Sequence, residues 1–137
     1  MNKSMKKTSR CLKAVADPTR LKILKLLQHR TSCVYELTSV LGLAQPTVSR
    51  HLRVLEDAGF VESERRGLRM DYMLTEDDAP LMVRQIMGLV EEWHEDDQVI
   101  KTLRDCLDVT ADEIYGSVPA KEDHVSAQHR DFRSNTI

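Results

Sequence analysis

No run of eighteen apolar residues occurs in this 137-residue chain, so it carries no segment of the kind that crosses a bilayer as a helix. The lysines at the amino end are not followed by the apolar block that a secretory signal needs. Cysteines number only three, an odd count that closes no disulfide framework. Together these absences predict a cytoplasmic protein whose thiols are reduced and open to metal or redox chemistry. Catalytic pairing is lacking too: Cys33 has no base partner visible in the sequence, and an enzyme is disfavoured. Net charge is also small, at -2. Its distribution is uneven. Residues 1–30 hold nine Lys and Arg against one Asp, residues 31–74 five against six, and residues 75–137 six against fifteen. A basic front steers towards phosphates, whereas an acidic back does not. A chain of this length suits one domain with a modest core, and such a domain gains from self-association.

The residues that are present organise around Thr31 to Leu74. Val48, Leu52 and Leu55 recur at i, i+4 and i+7, which predicts a helix with one apolar stripe inward and Thr47, Ser49, Arg50 and Arg53 outside. Gly59 is placed to stop it. Beyond it, Val61 to Arg65 fits a strand, and Met70, Tyr72 and Leu74 alternate with Arg69, Asp71 and Met73 as a second. The turn is expected near Arg66-Gly67, which sets Arg65, Arg66 and Arg69 around a hairpin tip. Helix, hairpin and exposed arginines describe a winged helix-turn-helix, a mainly α fold with a small β-hairpin.

Upstream, Lys6 to Ala16 is expected to form a first helix. Asp17 and Pro18 then supply a cap and a first helical residue for a second, which runs to about His29 with Leu21, Ile23, Leu24, Leu26 and Leu27 on a wide apolar face. Thr31 or Ser32 is the expected cap of a third helix, with Val34, Leu37, Val40 and Leu41 inward and Gly42 at its end. Ala79 to Trp93 carries more than one apolar stripe, so a second contact surface, and hence a homodimer, is predicted. Glu95 to Tyr115 permits a further helix through Val99, Leu103, Leu107 and Ile114. The polar composition from Gly116 onward predicts disorder. The expected division is 1–94 for DNA binding and dimerisation, 95–115 for an added helix and 116–137 for a tail.

Three blocks of the sequence, Ala16-Asp17-Pro18-Thr19-Arg20-Leu21, Gln45-Pro46-Thr47-Val48-Ser49-Arg50-His51-Leu52 and Leu55 to Phe60, resemble the ArsR/SmtB family of arsenical- and metal-responsive repressors. The resemblance covers roughly Lys6 to Trp93. It implies a dimer joined through its first and fifth helices, with both recognition helices in successive major grooves of a palindromic operator on double-stranded DNA. Gln45, Thr47, Ser49, Arg50 and His51 match the motif residue by residue and are implied groove contacts; Arg53 is compatible with the same role. Arginine, glutamine and the hydroxyl residues suit that task because their donors match base edges and phosphates. Arg65, Arg66 and Arg69 are the expected wing contacts to backbone or minor groove. Ala44 departs from the family, which commonly has a serine-like cap there.

The implied inducer is As(III) or another thiophilic metal ion, with no cofactor required for DNA binding. Here the family's Cys-Val-Cys element reads Cys33-Val34-Tyr35, so a three-sulfur site needs Cys33 together with Cys11 and Cys106, through the fold or across a dimer. The alternatives are a thiol-redox or persulfide response, or three small buried cysteines with no sensing role. The family's other metal site aligns with Glu76, Asp78, Leu89 and Glu92, which leaves no histidine and disfavours a zinc sensor of that type. His94 stands in an acidic run that reads as a solvated helix end. A winged helix that binds protein instead of DNA is the remaining class, set apart by weak salt dependence.

Overall fold

The apolar face expected between Leu21 and Leu27 is the centre of the molecule in the computed structural model, which describes residues 2–76 and 78–116. Helix α2 (Pro18–His29) buries Ile23, Leu24, Leu26 and Leu27 almost completely. It starts as predicted: Pro18 occupies the first turn and the Asp17 carboxylate accepts a hydrogen bond from the Arg20 N–H at 3.0 Å. Helix α1 (Lys3–Val15) begins three residues before the expected Lys6, because the Asn2 side chain accepts from the Met5 N–H at 2.8 Å and caps it there.

Strand β1 (Ser32–Cys33) was not visible in the sequence pattern. Ser32 pairs with Tyr72 and Cys33 with Asp71, so both residues are drawn into the sheet. The cap of helix α3 (Val34–Leu41) is therefore Cys33, in place of Thr31 or Ser32. Glu36 completes the turn by accepting the Cys33 N–H at 2.9 Å. Leu37 is fully buried, Val34, Val40 and Leu41 are half-buried against the core, and Gly42 ends the helix with φ +68°.

Helix α4 (Gln45–Asp57) buries Val48, Leu52 and Leu55, as its periodicity requires. Strands β2 (Val61–Arg66) and β3 (Arg69–Leu74) form the wing in register Arg66↔Arg69 to Val61↔Leu74. The turn is Gly67-Leu68, one residue beyond the expected place, with Gly67 at φ +64°. The sheet is three-stranded and antiparallel, in order β1-β3-β2. In β3, its middle strand, Asp71 lies between Cys33 and Glu64 of the two neighbouring strands and is only 7 % exposed.

Helix α5 (Leu81–Glu92) packs on α2 and buries Val83, Ile86 and Val90. Lys25 of α2 lies beneath its end with a side chain only 1 % exposed. Its ammonium donates to the carbonyls of Val90 and Glu91 and to the Glu95 carboxylate. These carbonyls lie in the last turn of α5, at the negative end of the helix dipole, so a cation there is stabilising.

Helix α6 (Gln98–Tyr115) is capped by Asp97, whose carboxylate accepts from the Val99 and Ile100 N–H groups. It lies across α2 and α3. Ile100, Leu107 and Ala111 are buried and Leu103 packs against the core, whereas Val99 and Ile114 are exposed. The expected inward stripe is thus corrected at both ends. Ile100, Leu103, Leu107 and Ala111 follow the three- and four-residue steps of one helix face, and Val99 sits a residue off it. Asp108 pins the helix to α2 through His29 and Arg30 at 3.0 and 3.1 Å. Of the predicted tail 116–137, Gly116 is the C-cap of α6 and residues 117–137 lie outside the described residues.

Candidate nucleic-acid interface and the cysteines

Burial of Val48, Leu52 and Leu55 decides which side chains α4 presents. Gln45, Arg50 and Arg53 are exposed, and Thr47, Ser49 and His51 are half-buried. Arg50 and Arg53 make no ion pair among the described residues. The first turn receives no side-chain cap from Ala44. Relative to serine this costs about 1 kcal/mol, which the buried stripe offsets.

Arg20 holds the helix in place. Its Nε donates to the Ala14 carbonyl at 2.7 Å and its Nη2 to that of Lys13 at 3.1 Å, which closes the end of α1. Its Nη1 meets His51 Nδ1 at 3.2 Å. A guanidinium only donates, so Nδ1 is the acceptor and the imidazole proton sits on Nε2. One nitrogen of His51 is thereby committed to the scaffold. In the sequence Arg20 carries only the family resemblance; its knot between α1, α2 and α4 has no signal there. The Asp17 carboxyl lies below its usual range, chiefly because it accepts the Arg20 N–H.

The three wing arginines differ. Arg65 is exposed and makes no ion pair among the described residues. Arg66 bridges Glu64 at 3.1 Å and Asp71 at 3.4 Å. Arg69 donates from Nε to Asp71 at 2.8 Å and lies over the Tyr115 ring, 4.7 Å from its centroid. The Asp71 hydrogen bond is also what holds its pKa above the usual value. Ser63 donates to Glu56 at 2.8 Å and so ties the wing to the end of α4.

Cys11, Cys33 and Cys106 stand apart. Cys11 is buried on α1, with its thiol 3.8 Å from the Ala58 carbonyl oxygen. Cys106 is exposed on α6. Cys33 is buried at the start of α3, 3.7 Å from the Tyr115 hydroxyl oxygen. Burial pushes its thiol pKa up and so favours the protonated form, against the lowering effect of the Glu36 N–H whose hydrogen bond the sulfur accepts. Among the described residues, no three His, Cys, Asp or Glu side chains are grouped to hold a metal ion. Tyr35, at the place of the family's second thiol, is 65 % exposed. Of the alternative metal positions, Leu89 is exposed on α5. His94 pairs with Asp97 at 3.7 Å.

Comparison with known proteins agrees with this geometry. The family model described as bacterial regulatory protein, arsR family, matches residues 17–63. An uncharacterised HTH-type transcriptional regulator of Methanocaldococcus jannaschii is 40 % identical over 87 residues, covering 63 % of this chain and 93 % of that protein. The transcriptional repressor SmtB of Mycobacterium tuberculosis is 42 % identical over 65 residues, 47 % of this chain and 48 % of that one, so the match spans about half of that relative. Among solved structures, the homodimeric winged helix-turn-helix DNA-binding domain of a possible ArsR-family regulator from Mycobacterium bovis superposes with TM-score 0.55 at 28 % identity, covering 69 % and 87 % of the two chains. An outward polar face on α4, a wing beside it and these relatives lead to one conclusion: the chain belongs to the ArsR family of DNA-binding transcriptional regulators, which are not enzymes.

Proposed function

We propose that this protein is a homodimeric repressor that binds a palindromic operator through α4 and its wing and releases it when Cys33 is engaged. The observation that carries the DNA reading is the outward face of α4, where Gln45, Arg50 and Arg53 are exposed over a fully buried stripe. Thr47, Ser49 and His51 flank them, and Arg65, Arg66 and Arg69 stand on the adjoining wing. Dimerisation is supported by uncovered apolar side chains on the two helices that the resemblance assigns to it. Met5 and Leu12 on α1 and Leu81 and Leu89 on α5 are each more than half exposed. Residues 1–94 supply the reading and pairing surfaces in this scheme, and 95–115 the helix added to them. A cytoplasmic location is part of this reading and is consistent with a DNA partner.

Arg50→Ala tests the reading. Loss of a bidentate base contact is expected to weaken binding to the chain's own promoter fragment by about 5- to 150-fold. An unchanged affinity removes α4 from the groove. A steep fall of wild-type affinity with salt separates phosphate contact from a protein-binding winged helix.

For the signal, As(III) or another soft ion at Cys33 is the first reading, with Cys11 and Cys106 as further thiols. Their separation within one chain means that such a site draws thiols from the partner or displaces α6. The same separation favours a second reading, oxidation or persulfidation of Cys33, which needs no ready-made group of donors. Operator-bound protein challenged in turn with arsenite, cadmium, zinc and peroxide decides between them by which agent dissolves the complex.

A further inference from the structure

Tyr115, the last residue of α6, occupies a place that neither the DNA face nor the thiol reading accounts for. Its hydroxyl donates to Glu36 Oε1 at 2.9 Å and lies 3.7 Å from Cys33 Sγ. The ring is also the platform for the Arg69 guanidinium of the wing. Glu36 is only 1 % exposed, and its Oε1 already accepts the Cys33 N–H. Its second oxygen, Oε2, is buried and has no hydrogen-bond partner among the described residues. On the opposite strand Cys33 pairs with Asp71, the residue that holds Arg69 from below. One phenol thus touches the thiol of Cys33, the capping carboxylate of α3 and an arginine beside the turn of the wing.

We propose that Tyr115 is a latch: it seals Cys33 and carries Arg69, so that access to the thiol and the position of the wing arginine change together. A reagent reaching Cys33 Sγ has to displace the phenol, and Arg69 then loses its ring. The wing half of this inference rests on the DNA reading above; the sealing half does not. Tyr115 is a positioning residue, since it acts on DNA through Arg69.

The chain carries its own controls. Cys106 is exposed and reports reagent activity, while Cys11 is buried in a different part of the fold and reports global opening. Alkylation of the full-length protein by iodoacetamide, read site by site by mass spectrometry, is the experiment. Tyr115→Phe keeps the ring but loses the hydrogen bond to a buried carboxylate, so Cys33 labelling is expected to rise about ten- to hundredfold with Cys11 and Cys106 unchanged. Its operator affinity should stay within about twofold, because the Arg69 platform persists. Tyr115→Ala should raise Cys33 labelling further and weaken operator binding about three- to tenfold, as expected for loss of a cation–π support. Equal acceleration of Cys11 and Cys33, or of neither, overturns the seal. Wild-type operator affinity in Tyr115→Ala overturns the link to the wing. If the wild-type chain itself fails to hold its promoter fragment, the DNA reading and the wing link fall together, and the labelling ratio still decides whether the phenol covers Cys33.

Discussion

Replacement of Lys25 by methionine asks what a cation buried at the end of α5 contributes. Its ammonium makes three bonds, to Val90 O at 3.0 Å, Glu91 O at 3.1 Å and Glu95 Oε1 at 2.9 Å. Each hydrogen bond from a charged donor contributes about 1.5–3 kcal/mol net. That sum is not the cost of removal. Val90 O keeps the Trp93 N–H at 3.1 Å, Glu91 O keeps Gln28 Nε2 at 3.3 Å, and Glu95 is 44 % exposed and rehydrates. Burial is also the largest influence on the Lys25 pKa and pushes it down, so part of the gain is already spent on desolvation. Lys25→Met, which preserves an apolar stem of similar length, should therefore destabilise by about 2 kcal/mol. Lys25→Ala adds a cavity and should cost about 4 kcal/mol. For a domain of this size the melting temperature moves about 4 °C per kcal/mol, which gives falls of about 8 and 16 °C. Thermal and urea unfolding at one fixed protein concentration measures both, since self-association makes the midpoint concentration-dependent. A methionine variant as stable as wild type, or more so, would refute the reasoning. It would show that desolvating the ammonium cancels its three bonds, as happens at some buried ion pairs.

Two further perturbations bear on the α1–α2–α4 knot. Arg20→Met removes both carbonyl bonds and the support of His51, and should cost about 2 kcal/mol in urea unfolding while weakening operator binding. Arg20→Lys should not restore either property, because one ammonium cannot span the three acceptors; rescue by lysine would count against the knot. Asp17→Ala should lose about 1 kcal/mol through the missing cap. The Asp17 carboxyl is lowered from its usual 3.8 in the folded state, so its charge-linked stabilisation is complete above that pH and lost as pH falls through the lowered value. Asp17→Asn keeps an acceptor but not the charge, and its acid unfolding curve should lack that part of the decline.

Much of the proposed reading surface was legible because it is local. The spacing of Val48, Leu52 and Leu55 orients α4 without help from the rest of the chain, and it thereby turns Arg50 and Arg53 outward. Asp17-Pro18 and Gly42 mark helix ends through their own backbone preferences, and each stands where expected. The wing turn was displaced by one residue because only strand pairing decides which two residues the hairpin leaves unpaired. The burial of Asp71 was not legible, because alternation distinguishes two faces of a strand but not what covers them.

Sequence alone determined the helices, the wing, the inward stripe of α4 and the family, because these follow from side-chain periods of two to four residues and from short motifs. Tertiary structure decided which polar groups meet. Lys25 lies 65 residues from Val90, Arg20 lies 31 from His51, and Tyr115 lies 79 from Glu36 and 82 from Cys33. No local pattern encodes such pairs, since burial by the packed helices is what makes each partner obligatory. For the same reason three cysteines that a sequence can only count are divided by the fold into one on the buried face of α1, one beneath a phenol and one in solvent.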